Sequence, residues 1–185
     1  MRAICIWGEP VLHEPAVEVG EIDDEIRELV ADMFETMDAA PGVGLAAPQI
    51  GVGLRIFTFG WTDETGTAWR DVAINPELLI TPASPFEPGE DDAEGCLSFP
   101  GERFDLQRGD RAILRALNLE GEPYEIEASG WLARIFQHEF DHLNGVLYVD
   151  RLGETDRKLV YRISKKAGWG VPGRSWMPGV DYDQP

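Results

Sequence analysis

Along residues 23–40, "DDEIRELVADMFETMDAA", apolar side chains return at steps of three and four: Ile26, Leu29, Val30, Met33, Phe34 and Met37. That spacing predicts an amphipathic helix, with Asp23 or Asp24 as its N-cap and Pro41–Gly42 as its stop. The next stretch, "GVGLAAPQIGVG", is too rich in glycine for an ordinary element and runs into the β-rich "LRIFTFGW". It reads as a tight glycine loop leading into a strand. From Ala68 to about Ala128 the signals are short and β-like: "AWRDVAINP", "ELLIT", "RAILRALNLEG" and "YEIEASG", punctuated by Pro, Gly and Asp. In the last of these Tyr124, Ile126 and Ala128 alternate with Glu125 and Glu127, as in a half-buried strand. "DAEGCLSFPGERFDL" interrupts the region as a loop or edge strand. A helix of about fourteen residues then begins near Trp131 and ends at Gly145, its C-cap, and a last helix covers about 155–167. The pattern predicts an α+β fold, mostly antiparallel sheets packed around a central helix, with N- and C-terminal helices. Residues 1–168 are expected to form a single domain and 169–185 a Gly/Pro/Trp-rich tail.

Composition narrows the function classes. The chain has 185 residues, enough for one sizeable core, with 43% hydrophobic and 27% charged residues. Sixteen Lys and Arg against 34 Asp and Glu give a net charge of −18, which argues against a nucleic-acid-coating surface for the body of the protein, and no DNA partner is expected. The start, "MRAICIWGEP", lacks the build of a signal peptide. No apolar run approaches the ~20 residues that span a bilayer. A cytoplasmic, non-membrane protein is expected, and a monomer. In a reducing cytosol the two cysteines, Cys5 and Cys96, are expected to stay unpaired. Cys5, in "AICIW", reads as a small buried apolar residue.

The chemistry concentrates in "LARIFQHEFDHLNGV", which holds two of the three histidines. On a helix, positions 131, 135, 138, 139 and 142 share one face, so His138 and His142 project side by side. Imidazoles at i and i+4 can bind one metal ion, with Glu139 held beside the remaining coordination position, the HExxH arrangement. Two core histidines bonded to backbone are the bland alternative, but a second imidazole and a carboxylate on an apolar face cost desolvation without adding packing. Cys96 is the best third ligand in the chain, its thiolate suiting a soft or borderline transition metal. Three ligands leave a tetrahedral site one position short, which points to catalysis, with Glu139 as general base and then general acid.

"GVGLAAPQ" (42–49), "EGCLSFP" (94–100) and "QHEFDHLNG" (137–145), in this order and spacing, resemble the three motifs of the peptide deformylases. The resemblance covers roughly residues 5–150. It implies that Cys96, His138 and His142 are the metal ligands and Glu139 the acid and base. It further implies that the Gln49 side-chain amide and the Leu97 backbone N–H hold the oxyanion. The ion implied is Fe2+, with Zn2+, Ni2+ or Co2+ able to replace it. The reaction implied is removal of the formyl group from the formylmethionine of nascent polypeptides, releasing formate. Gly42 and Gly44 would let an extended peptide approach the backbone closely. Family correspondence places Val43, Trp131, Arg134, Ile135 and His138 around a methionine pocket. In it Arg134 either snorkels to the rim or narrows specificity. Arg103 matches a family arginine near the substrate path or is a solvated surface residue. An HExxH metallopeptidase, or another metal-dependent amidohydrolase, is the alternative. Its third ligand would be Asp150 or Glu154, and neither accounts for Cys96 or Gln49.

Charge supplies one more expectation. Residues 151–175 hold seven basic residues (Arg151, Arg157, Lys158, Arg162, Lys165, Lys166 and Arg174) and two acids, a local reversal of sign. With the resemblance, which implies a substrate emerging from the ribosome, residues 157–166 are a candidate ribosome-docking face, the plain alternative being a solvated helix face whose cations complement the helix C-terminus.

Overall fold

The computed structural model describes residues 1–83 and 92–181. In chain order the elements are β1 (Ile4–Cys5), α1 (Asp24–Ala39), β2 (Gly44–Ala46), β3 (Ile56–Thr62), β4 (Ala68–Ile80), β5 (Ala93–Cys96) and β6 (Phe99–Asp105). They continue with β7 (Arg111–Leu117), β8 (Pro123–Ser129), α2 (Gly130–Leu143), α3 (Glu154–Ala167) and β9 (Ser175–Trp176). The α+β class read from the sequence is the class observed.

α1 forms as its spacing predicts. Asp23 caps it, its Oδ1 accepting the Ile26 N–H at 3.0 Å, an arrangement worth about 1 kcal/mol. Leu29, Val30, Met33 and Met37 are buried. They lie against one face of a five-stranded antiparallel sheet of order β2-β3-β4-β7-β8.

Strand alternation sorts the sheet's side chains between two cores. Leu45, Ile56, Val72 and Ile74 pack with α1, while Ala46, Phe57, Phe59, Ala73 and Leu114 pack with Leu132, Ala133 and Phe136 of α2. Phe59 and Phe136 meet edge to face, ring centroids 5.0 Å apart. A third core (Leu12, Phe99, Phe104, Leu147, Tyr148, Val160) joins the β5–β6 hairpin to α3 and the segment before it.

Five local features refine the sequence reading. "AWRDVAINP" and "ELLIT" form one strand, β4, whose register with β7 shifts between Ile74 and Glu77. Pro76 has no N–H for the ladder, and Asn75 takes a left-handed φ of 49° while its side-chain amide pairs with both backbone groups of Val19. The glycine loop contains β2 and one 3-10 turn, Ala47–Ile50. The segment around Cys96 is the antiparallel hairpin β5–β6. The tail is folded onto the body as far as it is described, β9 pairing with β1; residues 182–185 lie outside the described residues. α2 spans Gly130–Leu143, with Asn144 as its C-cap and Gly145, φ 72°, just beyond. No helix among the described residues is long and apolar enough to cross a membrane.

Candidate active site

α2 carries His138 and His142 one turn apart, their ring centroids 4.9 Å from each other. β5 brings Cys96 against them, with Sγ 3.3 Å from His142 Nε2. One ligand atom from each of the three residues falls within 4.8 Å of the others, and all three residues are buried. Both cysteines are free thiols. Cys5 is half-buried rather than buried, and burial followed by the nearby Glu9 charge raises its pKa.

The hairpin and the helix are registered by an ion network that sequence reading did not identify. Glu94 lies two residues before Cys96, on the same side of β5, and is 3% exposed. Its carboxylate takes two bonds from Arg108, at 2.6 and 3.1 Å, one from Arg134 at 3.1 Å, and contacts His138 Nδ1 at 2.6 Å. Arg108 Nη1 also donates to Asp141 Oδ2 of α2 at 2.6 Å, and Arg151 reaches the same carboxylate. Burial pushes the Glu94 carboxyl up, but His138 and Arg108 outweigh it and hold it well below the usual carboxylate range. The i, i+2 spacing of Glu94 and Cys96 on a strand was the available signal. A buried glutamate beside a ligand strand needs cations, and Arg108 and Arg134 provide them.

The donor set fits a cation. With His138 Nδ1 engaged by Glu94, Nε2 is left for an ion, and the carboxylate fixes the ring's orientation. Burial lowers the pKa of His138, yet its interactions with Cys96 and Glu94 raise it well above the ordinary value. His142 moves the opposite way, through burial first and the charge of His138 second. Cys96 and Glu94 thus both favour positive charge beside the point where the three donors meet. Two buried polar atoms without a hydrogen-bond partner among the described residues, Glu139 Oε2 and His142 Nδ1, lie in this cluster. Glu139 is 4% exposed, and burial raises its carboxyl pKa to about 7.

Gln49 is buried at the same place. Its Oε1 accepts the Ala46 N–H at 2.8 Å, and its Nε2 points to Ser98 Oγ (3.3 Å) and Cys96 Sγ (3.7 Å). A cleft of about 450 Å³ opens over these groups, lined among others by Val43, Gly44, Trp61, Leu97, Trp131 and Ile135. Gly44 is glycine for space: a Cβ there would stand 2.7 Å from the Glu139 carboxyl carbon. β2 ends the sheet order, so its second edge has no strand partner among the described residues.

The two arginines differ. Arg103 is exposed at the cleft, its Nη2 donating to Ala93 O at 2.6 Å. Arg134 is buried and turned inward, donating to Asp92 Oδ1 (2.6 Å), Leu106 O (2.7 Å) and Glu94, with its guanidinium 5.3 Å from the Trp131 ring centroid. The downstream ligands that a metallopeptidase would need are engaged elsewhere: Asp150 Oδ2 accepts from Leu147 N at 2.8 Å and Glu154 pairs with Lys158 at 2.8 Å.

Comparison with known proteins agrees with this geometry. The polypeptide deformylase family model matches residues 1–158. "Peptide deformylase 2" of Corynebacterium efficiens is 49% identical over 185 residues, which cover 99% of this chain and 96% of that protein. The likeness therefore runs past residue 150 and takes in the tail. The crystal structure of a peptide deformylase from Legionella pneumophila superposes with a TM-score of 0.78 at 38% identity, covering 91% of this chain and 95% of that one. One from Synechococcus elongatus, in complex with actinonin, gives a TM-score of 0.78 at 37% identity and 91% of each chain. Motifs, fold and full-length relatives converge: the chain belongs to the peptide deformylase family, hydrolases that remove the formyl group from N-terminal formylmethionine.

Proposed function

We propose that Cys96, His138 and His142 hold one divalent ion, Fe2+ in the cell and replaceable by Zn2+, Ni2+ or Co2+, and that Glu139 is the acid and base of deformylation. The observation that carries this reading is the convergence of three buried ligand atoms within 4.8 Å beside a carboxylate oxygen with no hydrogen-bond partner among the described residues. When bound, the ion supplies Lewis acidity, lowering the pKa of water and polarising a carbonyl oxygen. Glu139 takes a proton from the attacking water, whose oxygen bonds to the formyl carbon. As the C–N bond breaks, the same carboxyl returns the proton to the leaving amine, giving formate and a free methionine amine. Gln49 Nε2 and the Leu97 N–H are the donors for the oxyanion, each worth about 3 kcal/mol in such a role.

The substrate is a nascent formyl-Met polypeptide. Its extended backbone adds to the outer edge of β2 at Gly44, through main-chain bonds that ignore sequence. The methionine side chain enters the cleft among Val43, Trp131, Ile135 and His138, where a thioether gains from aromatic contact. Arg103 borders the path of the following residues. Arg134 acts on the pocket from behind, through Glu94. The protein works in the cytoplasm as a 20.6 kDa monomer.

Air exposure tests the choice of metal. Protein loaded anaerobically with ferrous iron is expected to lose activity in air as the ion and Cys96 oxidise, while the nickel form persists. Equal decay of the two forms would contradict an iron–thiolate site.

Docking to the ribosome is the second part of the proposal. On α3, Arg157, Arg162, Lys165 and Lys166 are exposed while Val160 and Ser164 are buried. Phosphate contacts from such a face weaken steeply with salt. Low-salt co-sedimentation with ribosomes is expected, and the combined Arg157→Glu, Arg162→Glu, Lys166→Glu variant should lose it without losing turnover of a short formyl-Met peptide. Wild-type protein left in the supernatant would contradict docking.

A further inference from the structure

The family model ends at residue 158, but the chain beyond α3 returns to the motif that carries Cys96 and Leu97. Trp169 packs edge-on against Phe99, ring centroids 4.9 Å apart, and the Gly170 N–H donates to Trp7 O at 3.0 Å. Gly8 and Gly170 approach so closely that a Cβ on Gly8 would stand 2.6 Å from the Gly170 carbonyl carbon. Glu9 Oε1 accepts the N–H groups of Gly173 and Arg174, and the Ile6 N–H donates to Arg174 O at 2.9 Å. β9 then pairs with β1, Ile4 opposite Trp176.

This course buries Trp176, which is 3% exposed, and aims its indole at the site: Nε1 donates to Leu97 O at 2.9 Å. The neighbouring peptide groups are tied as well. The Trp7 N–H donates to Ser98 O at 2.8 Å, the Ser98 N–H points to Cys96 Sγ at 3.4 Å, and Gln49 Nε2 reaches Ser98 Oγ at 3.3 Å. Peptide planes are rigid, so a residue's N–H and C=O are related by only two soft dihedrals. Anchoring the Leu97 carbonyl and the Ser98 peptide together restricts the direction of the Leu97 N–H. Donors of this kind act only when held within about 0.5 Å and 10–20° of the productive geometry.

We infer that Trp176 is a positioning residue for deformylation, its indole N–H holding the Leu97 carbonyl so that the Leu97 amide stays aimed at the oxyanion. The inference rests on the oxyanion roles proposed above for Leu97 and Gln49. It makes the tail part of the catalytic apparatus, acting through the backbone of the Cys96 motif.

Trp176→Phe keeps a buried aromatic ring and removes the one N–H. With metal content read on the same sample, kcat per bound metal is expected to fall on the order of five-fold, the worth of one hydrogen bond. KM for a formyl-Met peptide should be unchanged, and the Leu97 amide resonance of zinc-loaded, ¹⁵N-leucine-labelled protein should move. Glu9→Ala provides a second route that releases residues 173–174 without touching Leu97; it should shift kcat and that resonance in the same sense. A lower Tm in both variants with wild-type kcat per metal and an unmoved Leu97 resonance would overturn the inference, leaving the tail a packing element. Gln49→Leu separates the two levels. If it is slow while Trp176→Phe is not, only the role of the tail falls; if it keeps wild-type kcat, the oxyanion reading falls first.

Discussion

Glu139→Ala is expected to lower formate release by about 10²–10⁴-fold while the protein retains its metal. Both halves follow from where the carboxylate sits. Glu139 shares a helix face with His138 and His142, but the cluster of atoms that could hold a metal ion comprises Cys96, His138 and His142, and Glu139 Oε2 has no partner among the described residues. A group held beside the ligands rather than among them can be removed without opening the coordination set. His142→Ala should instead lose metal and turnover together, because the remaining His138 and Cys96 give only two protein ligands. Metal analysis and turnover on the same preparations check the pair. Loss of the ion from Glu139→Ala, or near-wild-type turnover in that variant, would contradict the division of roles.

Glu94→Gln should have the largest effect on stability. Glu94 is 3% exposed and compensates two buried arginines, Arg108 and Arg134, while orienting His138. Breaking a buried ion pair from one side typically costs about 3–5 kcal/mol. For a chain of this size that corresponds to a fall in Tm on the order of 10 °C. The amide keeps the shape of the side chain and removes its charge, so packing is not the variable. Loss of the carboxylate behind a ligating imidazole should also weaken metal binding by about 10–100-fold. Thermal unfolding and metal titration measure the two effects. A variant with wild-type Tm and wild-type metal affinity would show that the network is not what joins β5 to α2.

The parts legible in the sequence were those written in periodic or local signals. The spacing in α1 and the alternation in β8 each bury one face, so they appear in the chain as they appear in the fold. His138, Glu139 and His142 were legible for the same reason, since helix geometry alone brings them together. β2 was not, because three residues of a glycine-rich segment, Gly44–Ala46, become a strand only by pairing with Phe57–Phe59. β4 was read as two strands because Pro76 looks like a terminator, whereas the sheet absorbs it in a bulge. The Glu94–Arg108–Asp141 network joins residues 14 and 33 positions apart, and no local pattern announces such a pairing. The sequence leaves Arg134 between the pocket rim and the pocket itself, but its direction is set by Asp92, Glu94 and Leu106, which only the fold brings near. Trp176 looked like tail composition for the same reason.

The most direct test of the central claim is to compare formyl-Met and acetyl-Met versions of one short peptide on protein whose bound metal has been counted. Formate release proportional to bound metal, with acetate release from the acetyl peptide slower by about 10²-fold or more, is the predicted result. The extra methyl must crowd a carbonyl that has to sit between the ligands, Gln49 and the Leu97 amide, and small misplacements cost heavily in rate. Comparable rates on the two peptides, or formate release that does not follow metal content, would contradict a metal-centred deformylase site built from Cys96, His138, His142 and Glu139.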